Sequence, residues 1–406
     1  HRGSPVTATE AAAPVTYNPY AYEMHEDPYP TYARLRAEAP VYRSDEFDFW
    51  ALSRHEDVLG AFRNVDAYSN AYGVSLDPSA FSPDAHKVMS FLALDPPDHT
   101  RMRSLVGKGF TPTKVNAMEE RIREITLEHL LPALEAGSFD FIADFAGKVP
   151  MDVISELVGV PRADRAELRR LADLVLHRDD GVYDVPAEGM EAALSLVVYY
   201  QDMVDERRRA RTDDLTSALL DAEIDGDKLT DEEIVAFLFL MVVAGNETTT
   251  KLLGNAWYWG WRNPDERAKP FADAGRVPQW VEETLRYDTS SQMLLRVLRQ
   301  PVTLHGTTLA EGERVLLLVG SANRDERIFP DADRYDLDRD TKALVSFGSG
   351  RHFCMGAPLA RLEARIGLTE LVSRVATYDV DPAGIERVHS INVRGLAALP
   401  TTVGLR

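Results

Sequence analysis

Cysteine is almost absent from this chain of 406 residues, which has one, Cys354. A single thiol closes no internal disulfide, holds no iron–sulfur cluster and gives poor support to a zinc site, which wants four ligands. Basic charge is also scarce, since 45 Lys and Arg face 65 Asp and Glu for a formal net charge of −20. That balance speaks against a nucleic-acid binder and against an anionic membrane surface, and favours small-molecule partners. The longest apolar run, "IVAFLFLMVVAG" from Ile234 to Gly245, is too short to cross a bilayer and directly follows acidic residues. No stretch combines the basic start, apolar core and small-residue cleavage site of a secretory leader, so a cytoplasmic protein is expected. Flexible linkers, internal repeats and low-complexity blocks are missing too, which favours one large domain at residues 17–406 behind a tail at residues 1–16. What the chain does have, 45% hydrophobic and 27% charged residues, fits a globular enzyme with a core and an internal pocket.

"DPYPTYARLRAEAP" predicts a helix that stops before Pro40, and "VYRSD" with "FWALSR" predicts a hairpin. Ser53 and Glu56 stand at capping-box spacing, as do Thr230 and Glu233 ahead of the apolar run. Residues 68–94 lack sustained periodicity and read as a long functional loop. From Asp98 to about Asp225 the pattern is mostly helical, with breaks at Pro161 and at "HRDDGVYDVP". The segment that follows Thr230 is apolar around nearly its whole circumference, which suits a helix running through the middle of a domain. Short strands are predicted at "PVTLH", "TTLA" and "RVLLLV", then a last helix just after Cys354 and a final extended tail. The expected fold class is mainly α with small β-sheets.

Taken alone, a lone cysteine is most often a small buried hydrophobe. Cys354, however, follows Gly348 and Gly350 and precedes a helix, where backbone N–H groups and the positive helix end favour the thiolate. On those grounds a cysteine nucleophile and an axial ligand for heme iron both stay open. "FGSGRHFCMG" resembles the heme-binding loop of the cytochrome P450 family, with Phe347, Gly350, His352, Cys354 and Gly356 filling its specified positions. The resemblance implies heme b as cofactor, Cys354 as iron ligand, Phe347 shielding the sulfur, and glycines that let the backbone pass close to the porphyrin. It also implies the family fold, with heme sandwiched between a long central helix and the cysteine loop.

Glu247 and Thr248 in "AGNETT" interrupt an apolar helix, which costs free energy unless something uses or satisfies them. A plain reading bonds Thr248 back to the preceding turn and pairs Glu247 with a buried arginine. The resemblance implies more. Ala244 and Gly245 then permit a local widening of the helix over the heme, and Thr248 with Glu247 delivers protons for oxygen activation. Glu283 and Arg286 in "ETLR" are, by spacing alone, a common helix ion pair. Together with "ANRDERIFPDADRYDLDR" they resemble the family's Glu-x-x-Arg element, which implies a buried structural network with Arg324. Heme propionates need cationic or donor partners, and His99, Arg103, Arg296 and His352 fill the family's positions for them. Thr289 and Ser290 stand where the family often has prolines, which leaves the path of that segment open.

By position in the resembling fold, the substrate pocket is expected at Leu92, Phe239, Leu240, Val243, Met293, Leu294, Leu295, Asn392 and Val393. Mostly apolar, the set implies a hydrophobic substrate such as a steroid, terpenoid, fatty acyl group or polyketide. Asp179 and Asp180 could meet a basic substrate group or simply be solvated. The resemblance is closest to the soluble bacterial three-component type, so a ferredoxin and ferredoxin reductase, O2 as co-substrate and a monomer are expected. Arg351, Arg361 and Arg365 are candidates for a basic docking patch, with ordinary solvated arginines the equal alternative. Two other readings stay open: a peroxide-driven heme enzyme, and a heme-thiolate gas or redox sensor that needs Cys354 but neither Glu247 nor Thr248.

Overall fold

The computed structural model describes residues 13–406. Of the expected tail, residues 1–12 lie outside that range, and Val15 is buried beside Tyr17 in a hydrophobic cluster. Helix α1, Tyr29–Glu38, ends as Pro40 requires, and β1, Val41–Ser44, pairs antiparallel with β2, Phe49–Leu52. Helix α2, His55–Arg63, lacks the expected capping box. The Ser53 hydroxyl is turned to the Pro40 carbonyl, and Asp325, distant in sequence, accepts from the His55 N–H at 2.9 Å in its place. After β3, Tyr68–Ser69, the chain to Leu94 forms only single turns, in keeping with a loop.

The helical half includes α3, Asp98–Gly109, α4, Arg162–Leu176, and α5, Ala187–Arg209. Pro161 caps the start of α4 and residues 177–186 separate it from α5, as the breakers predict. Helix α6 runs from Asp231 to Arg262. Its capping box forms: Thr230 N–H donates to Glu233 Oε2 at 2.9 Å, and Glu233 N–H to Thr230 Oγ1 at 3.2 Å. Over Met241–Asn246 the helix widens into a π turn, at the pair Ala244 and Gly245. By length and hydropathy α6 could cross a membrane, yet 72% of its most apolar window is buried inside the molecule. Ile234, Phe237, Leu238, Leu253 and Trp257 form part of the largest hydrophobic cluster. Helix α6 packs against α4, α5, α7 (Val277–Tyr287) and α8 (Ala357–Arg374).

Two more strands, β4, Met293–Leu298, and β5, Arg314–Leu318, complete a five-stranded sheet in the order β1-β2-β5-β4-β3. Strand β4 escaped the sequence reading, as did the sheet that the final residues make: Pro400–Leu405 lies between Val375–Val380 and Ser138–Asp140. Alternation along β4 gives it two characters. Met293 and Leu295 point into a cluster with Tyr17, Phe49, Leu316 and Leu318, whereas Leu294 and Arg296 face a cavity.

The Glu283–Arg286 pair of α7 is fully buried and bidentate, at 2.7 and 2.8 Å. Arg286 also donates to the carbonyls of Asn323, Ala332 and Arg334, so each of its nitrogens has a partner. Arg324 does not join this network as expected. Its Nε donates to the Tyr287 carbonyl at 2.7 Å, it pairs with Asp333, and its guanidinium lies 3.4 Å over the Tyr287 ring. The second arginine near Glu283 is Arg339, at 3.5 Å. Asn323 carries the support onward, donating to Ser346 Oγ at 2.8 Å and accepting from Val345 N–H, so α7 and the cysteine loop are tied together.

Candidate active site

A cavity of about 270 Å³ opens between α6 and the loop that carries Cys354. Gly348 and Gly350 both take φ +70°, a left-handed backbone that glycine adopts freely, and Cys354 N–H returns to the Phe347 carbonyl at 2.9 Å. This turn brings Phe347, His352, Cys354 and Gly356 to the cavity wall. Gly350 stays behind it, where a Cβ would meet the Phe62 carbonyl at 3.0 Å. The Cys354 side chain is accessible toward the cavity and surrounded by protein elsewhere. Burial therefore pushes its thiol up, against the opposing pull of the Gly356 and Ala357 N–H groups and Arg103. The thiolate expected from the helix end thus calls for a cationic partner in the cavity.

The polar atoms beside the cysteine loop fit an anionic planar group. His99 and His352 lie with ring centroids 4.1 Å apart, and among the described residues neither ring has a hydrogen-bond partner on either nitrogen. Burial holds them neutral, with His99 down at about 4 and His352 at about 2. Arg296 is buried, donates among the described residues only to its neighbour's carbonyl, and is pushed down to about 10 by desolvation. Arg103 donates to the Phe353 carbonyl at 2.7 Å. Orphaned donors and a buried guanidinium without a carboxylate cost several kcal/mol, on the order of 1–3 for each orphaned group, unless a ligand supplies the charge. Carboxylates such as heme propionates would supply it, and Cys354 offers a sulfur to an iron in the cavity.

The distal wall comes from one face of α6: Phe237, Leu240, Met241, Ala244, Gly245 and Thr248. Phe239 and Val243, expected in the pocket, lie on another face of the same helix and are buried in core. Leu92, Leu240 and Leu294 do line the cavity. Met293 and Leu295 do not, because strand alternation turns them into the neighbouring cluster. Asn392 and Val393 are screened by the chain at Ser291 and Gln292, to which they bond, and Val393 borders a separate small cavity. Asp179 and Asp180 are exposed and away from the cavity, with Asp179 bonded to His177.

Thr248 hydroxyl donates to the Ala244 carbonyl at 2.7 Å, filling an acceptor that the π turn loosens. Ser290 closes the other side of this residue, its hydroxyl donating to the Thr248 carbonyl at 2.8 Å. That bond answers the open question about the Thr289–Ser290 segment, which lines the cavity with Ser291. Glu247 is not at the cavity wall. It is buried behind it, 3.1 Å from Lys251 Nζ and accepting from Asn246 Nδ2 at 2.9 Å. The predicted arginine partner is thus a lysine on the next turn. Glu363 of α8 was missed: it lines the cavity, is buried with Oε2 unpartnered, and desolvation raises its carboxyl well above the usual range. The signal for it was an acid on a helix face otherwise made of Leu359, Ala360 and Ile366.

The cytochrome P450 family profile matches residues 276–398. Cytochrome P450 123 of Mycobacterium tuberculosis is 59% identical over 390 residues, 96% of this chain and 97% of that protein. Vitamin D(3) 25-hydroxylase of Pseudonocardia autotrophica is 38% identical over 390 residues, 94% of this chain and 95% of that protein. The crystal structure of CYP109E1 from Bacillus megaterium in complex with corticosterone matches with a TM-score of 0.82 at 33% identity, over 94% of this chain and 99% of that one. With this sequence identity across nearly its full length, the chain belongs to the cytochrome P450 family, heme b oxidoreductases that incorporate molecular oxygen.

Proposed function

We propose that this protein inserts one oxygen atom from O2 into a steroid-like hydrophobic molecule, with electrons from a separate ferredoxin and its reductase. The observation that carries the proposal is one apolar cavity bordered both by Cys354 and by Thr248, with orphaned histidines and an unpaired buried arginine beside it. Heme bound through the Cys354 thiolate supplies the redox chemistry of oxygen activation. His99, Arg103, Arg296 and His352 hold its propionates, and Arg296 regains a counter-charge. Thr248 hydroxyl, now bonded to Ala244, turns toward the cavity and passes protons, with Glu247 behind it as their source. Phe91, Leu92, Phe237, Leu240 and Leu294 exclude water and orient an apolar body, while Thr289 and Ser291 offer polar contacts at one side. Support for a steroid-like substrate comes from this lining and from two similar proteins, one named for vitamin D(3) and one holding corticosterone.

Arg361 and Arg365 are less available for ferredoxin than expected, since Glu282 lies 2.6 Å from one and Glu119 lies 3.6 Å from the other. Arg351 and Phe353, both exposed beside Cys354, are the better docking candidates. Charge reversal at Arg351 is expected to slow reduction at low salt more than reversal at Arg361. The protein is read as a cytoplasmic monomer, with the apolar surface of α6 consumed by the core.

Titration of the purified ferric protein with steroids, terpenoids, fatty acids and polyketides tests the substrate class through the heme spin-state shift. Steroids are expected to give the shift at the lowest concentration, and the ferrous carbon monoxide complex the red-shifted band of thiolate ligation. Thr248→Ala is expected to divert electrons from product to peroxide. A protein that binds no heme refutes the whole reading, and a shift confined to fatty acids refutes the substrate class alone.

A further inference from the structure

A second cleft, of about 790 Å³, opens on the outside of the molecule where the end of α6 meets the hairpin of Glu386–Arg387 and Leu396–Ala398. It shares no lining residue with the cavity beside Cys354, and Tyr258 in its wall stands about 15 Å along α6 from Thr248. Arg387 also lines it, with 10% of its side chain exposed and Nη1 buried without a partner. Arg43, Arg165 and Arg339 have one orphaned buried nitrogen too, but each gives its other N–H groups to carboxylates or carbonyls. Of these four, Arg387 alone makes no hydrogen bond among the described residues. Glu26 lies 3.9 Å from it, beyond hydrogen-bond reach, and is itself exposed. Asp288, whose carboxyl feels the Arg387 charge, already accepts from Tyr29, Trp259 and Arg394. A guanidinium held this deep without donors satisfied costs free energy that a bound anion would return.

The walls select the anion. Arg387 lies 5.3 Å over the Tyr258 ring, and Trp261 continues the same lining with the exposed Arg262 set 5.8 Å over its own ring. His389, also in the lining, stacks flat on Tyr22 at 3.5 Å and leaves Nδ1 unpartnered. Burial lowers its imidazole, so it adds a neutral polar group and no further charge. Aromatic faces beside a guanidinium suit a flat ring that carries a carboxylate, which Arg387 takes through paired N–H donors. The exposed Glu26 and Glu386 in the same lining offset Arg387 and Arg262, so nothing is left over for the second negative charge of a phosphate ester.

We propose that this cleft is a second ligand site, separate from the heme cavity, that binds an aromatic monocarboxylate with Arg387 as its anchor. The ring lies against Tyr258 and Trp261, and the carboxylate gives Arg387 the partner that the protein withholds.

Isothermal titration calorimetry of the heme-loaded protein with 2-naphthoate tests the site, with and without 4-phenylimidazole to ligate the iron and fill the cavity beside it. One-to-one binding that persists under 4-phenylimidazole is expected. Binding that 4-phenylimidazole abolishes belongs to the heme cavity and overturns the proposal, as does no binding up to about 10 mM. Arg387→Met is expected to weaken 2-naphthoate binding about tenfold or more, and Arg387→Lys, which keeps the charge but loses the fork, by less. Wild-type affinity in Arg387→Met overturns the anchor. Trp261→Leu, at a half-buried position, is expected to weaken binding about threefold, and unchanged affinity there overturns the aromatic assignment even if the Arg387 variants fail to fold. Inorganic phosphate and neutral 2-naphthol are expected to bind at least about tenfold more weakly than 2-naphthoate. Equal or tighter binding of phosphate overturns the carboxylate assignment, and of 2-naphthol the need for an anion.

Discussion

Asp288→Asn probes how much of the fold hangs on one buried charge. Asp288 lies just past α7 and is essentially inaccessible. Its carboxylate accepts from Tyr29 of α1 at 2.6 Å, from Trp259 of α6 at 2.8 Å, and from Arg394 at 2.7 Å. Burial raises the carboxyl, but Arg394, Arg387 and the two hydrogen-bonding aromatics outweigh it and bring it down to about 2. Asparagine keeps the shape and removes the charge, which leaves the Arg394 guanidinium buried against a neutral amide. Breaking such a pair costs about 3–5 kcal/mol. The lower end is expected, because Arg394 retains the carbonyls of His25 and Glu26. Since the folded value lies below the unfolded one, the carboxylate's stabilisation is complete above about pH 4 and fades as pH falls toward 2. A depression of nearly two units is worth about 2–3 kcal/mol in all, of which about 1 kcal/mol is gone by pH 3. Urea unfolding of wild type and variant, followed by far-ultraviolet circular dichroism at pH 7 and pH 3, reads both quantities, and losses common to the two proteins cancel. A gap below about 1 kcal/mol at pH 7, or one that does not narrow at pH 3, refutes the reasoning.

Arg286→Ala leaves Glu283 buried without its bidentate partner and frees three carbonyls, so a loss of about 3–5 kcal/mol and a low heme content per protein are expected from unfolding curves and Soret absorbance. Arg296→Met has effects of opposite sign in the two states of the protein. Removing a buried unpaired cation is expected to raise the melting temperature of the heme-free chain while lowering its affinity for added hemin, measured by absorbance titration. Glu363→Gln is expected to be more stable than wild type by a margin that grows from pH 5 to pH 8 in urea unfolding, because burial raises the folded carboxyl and the unfolded chain releases its proton more readily; a margin that does not widen with pH refutes this.

What the sequence revealed of this site, and what it hid, divides along the range of the forces involved. The turn at Gly348 to Gly356 and the capping box at Thr230 are set by residues within a few positions, so their geometry is written locally. Ser53 and Glu56 have the same spacing, yet no box forms, because Asp325 arrives from elsewhere to do the capping. Phe239, Val243, Met293 and Leu295 were misplaced for a related reason. Helical or strand periodicity tells which residues share a face, and only packing decides which face meets the cavity. Arg339 in place of Arg324 beside Glu283, and Lys251 beside Glu247, depend on long side chains whose reach spacing does not encode.

Strand β4 imposes a grammar on insertions and deletions. Its residues alternate between a dry cluster and the cavity that holds Arg296. One residue added or lost between Ser291 and Met293 would swap the two sets, driving a guanidinium among Tyr17, Phe49 and Leu316 and leaving the cavity wall without its buried cation. Changes in length here are tolerable only in twos. Engineered libraries that vary this segment to alter substrate choice should therefore keep its parity, and diversify Leu294 rather than either of its neighbours.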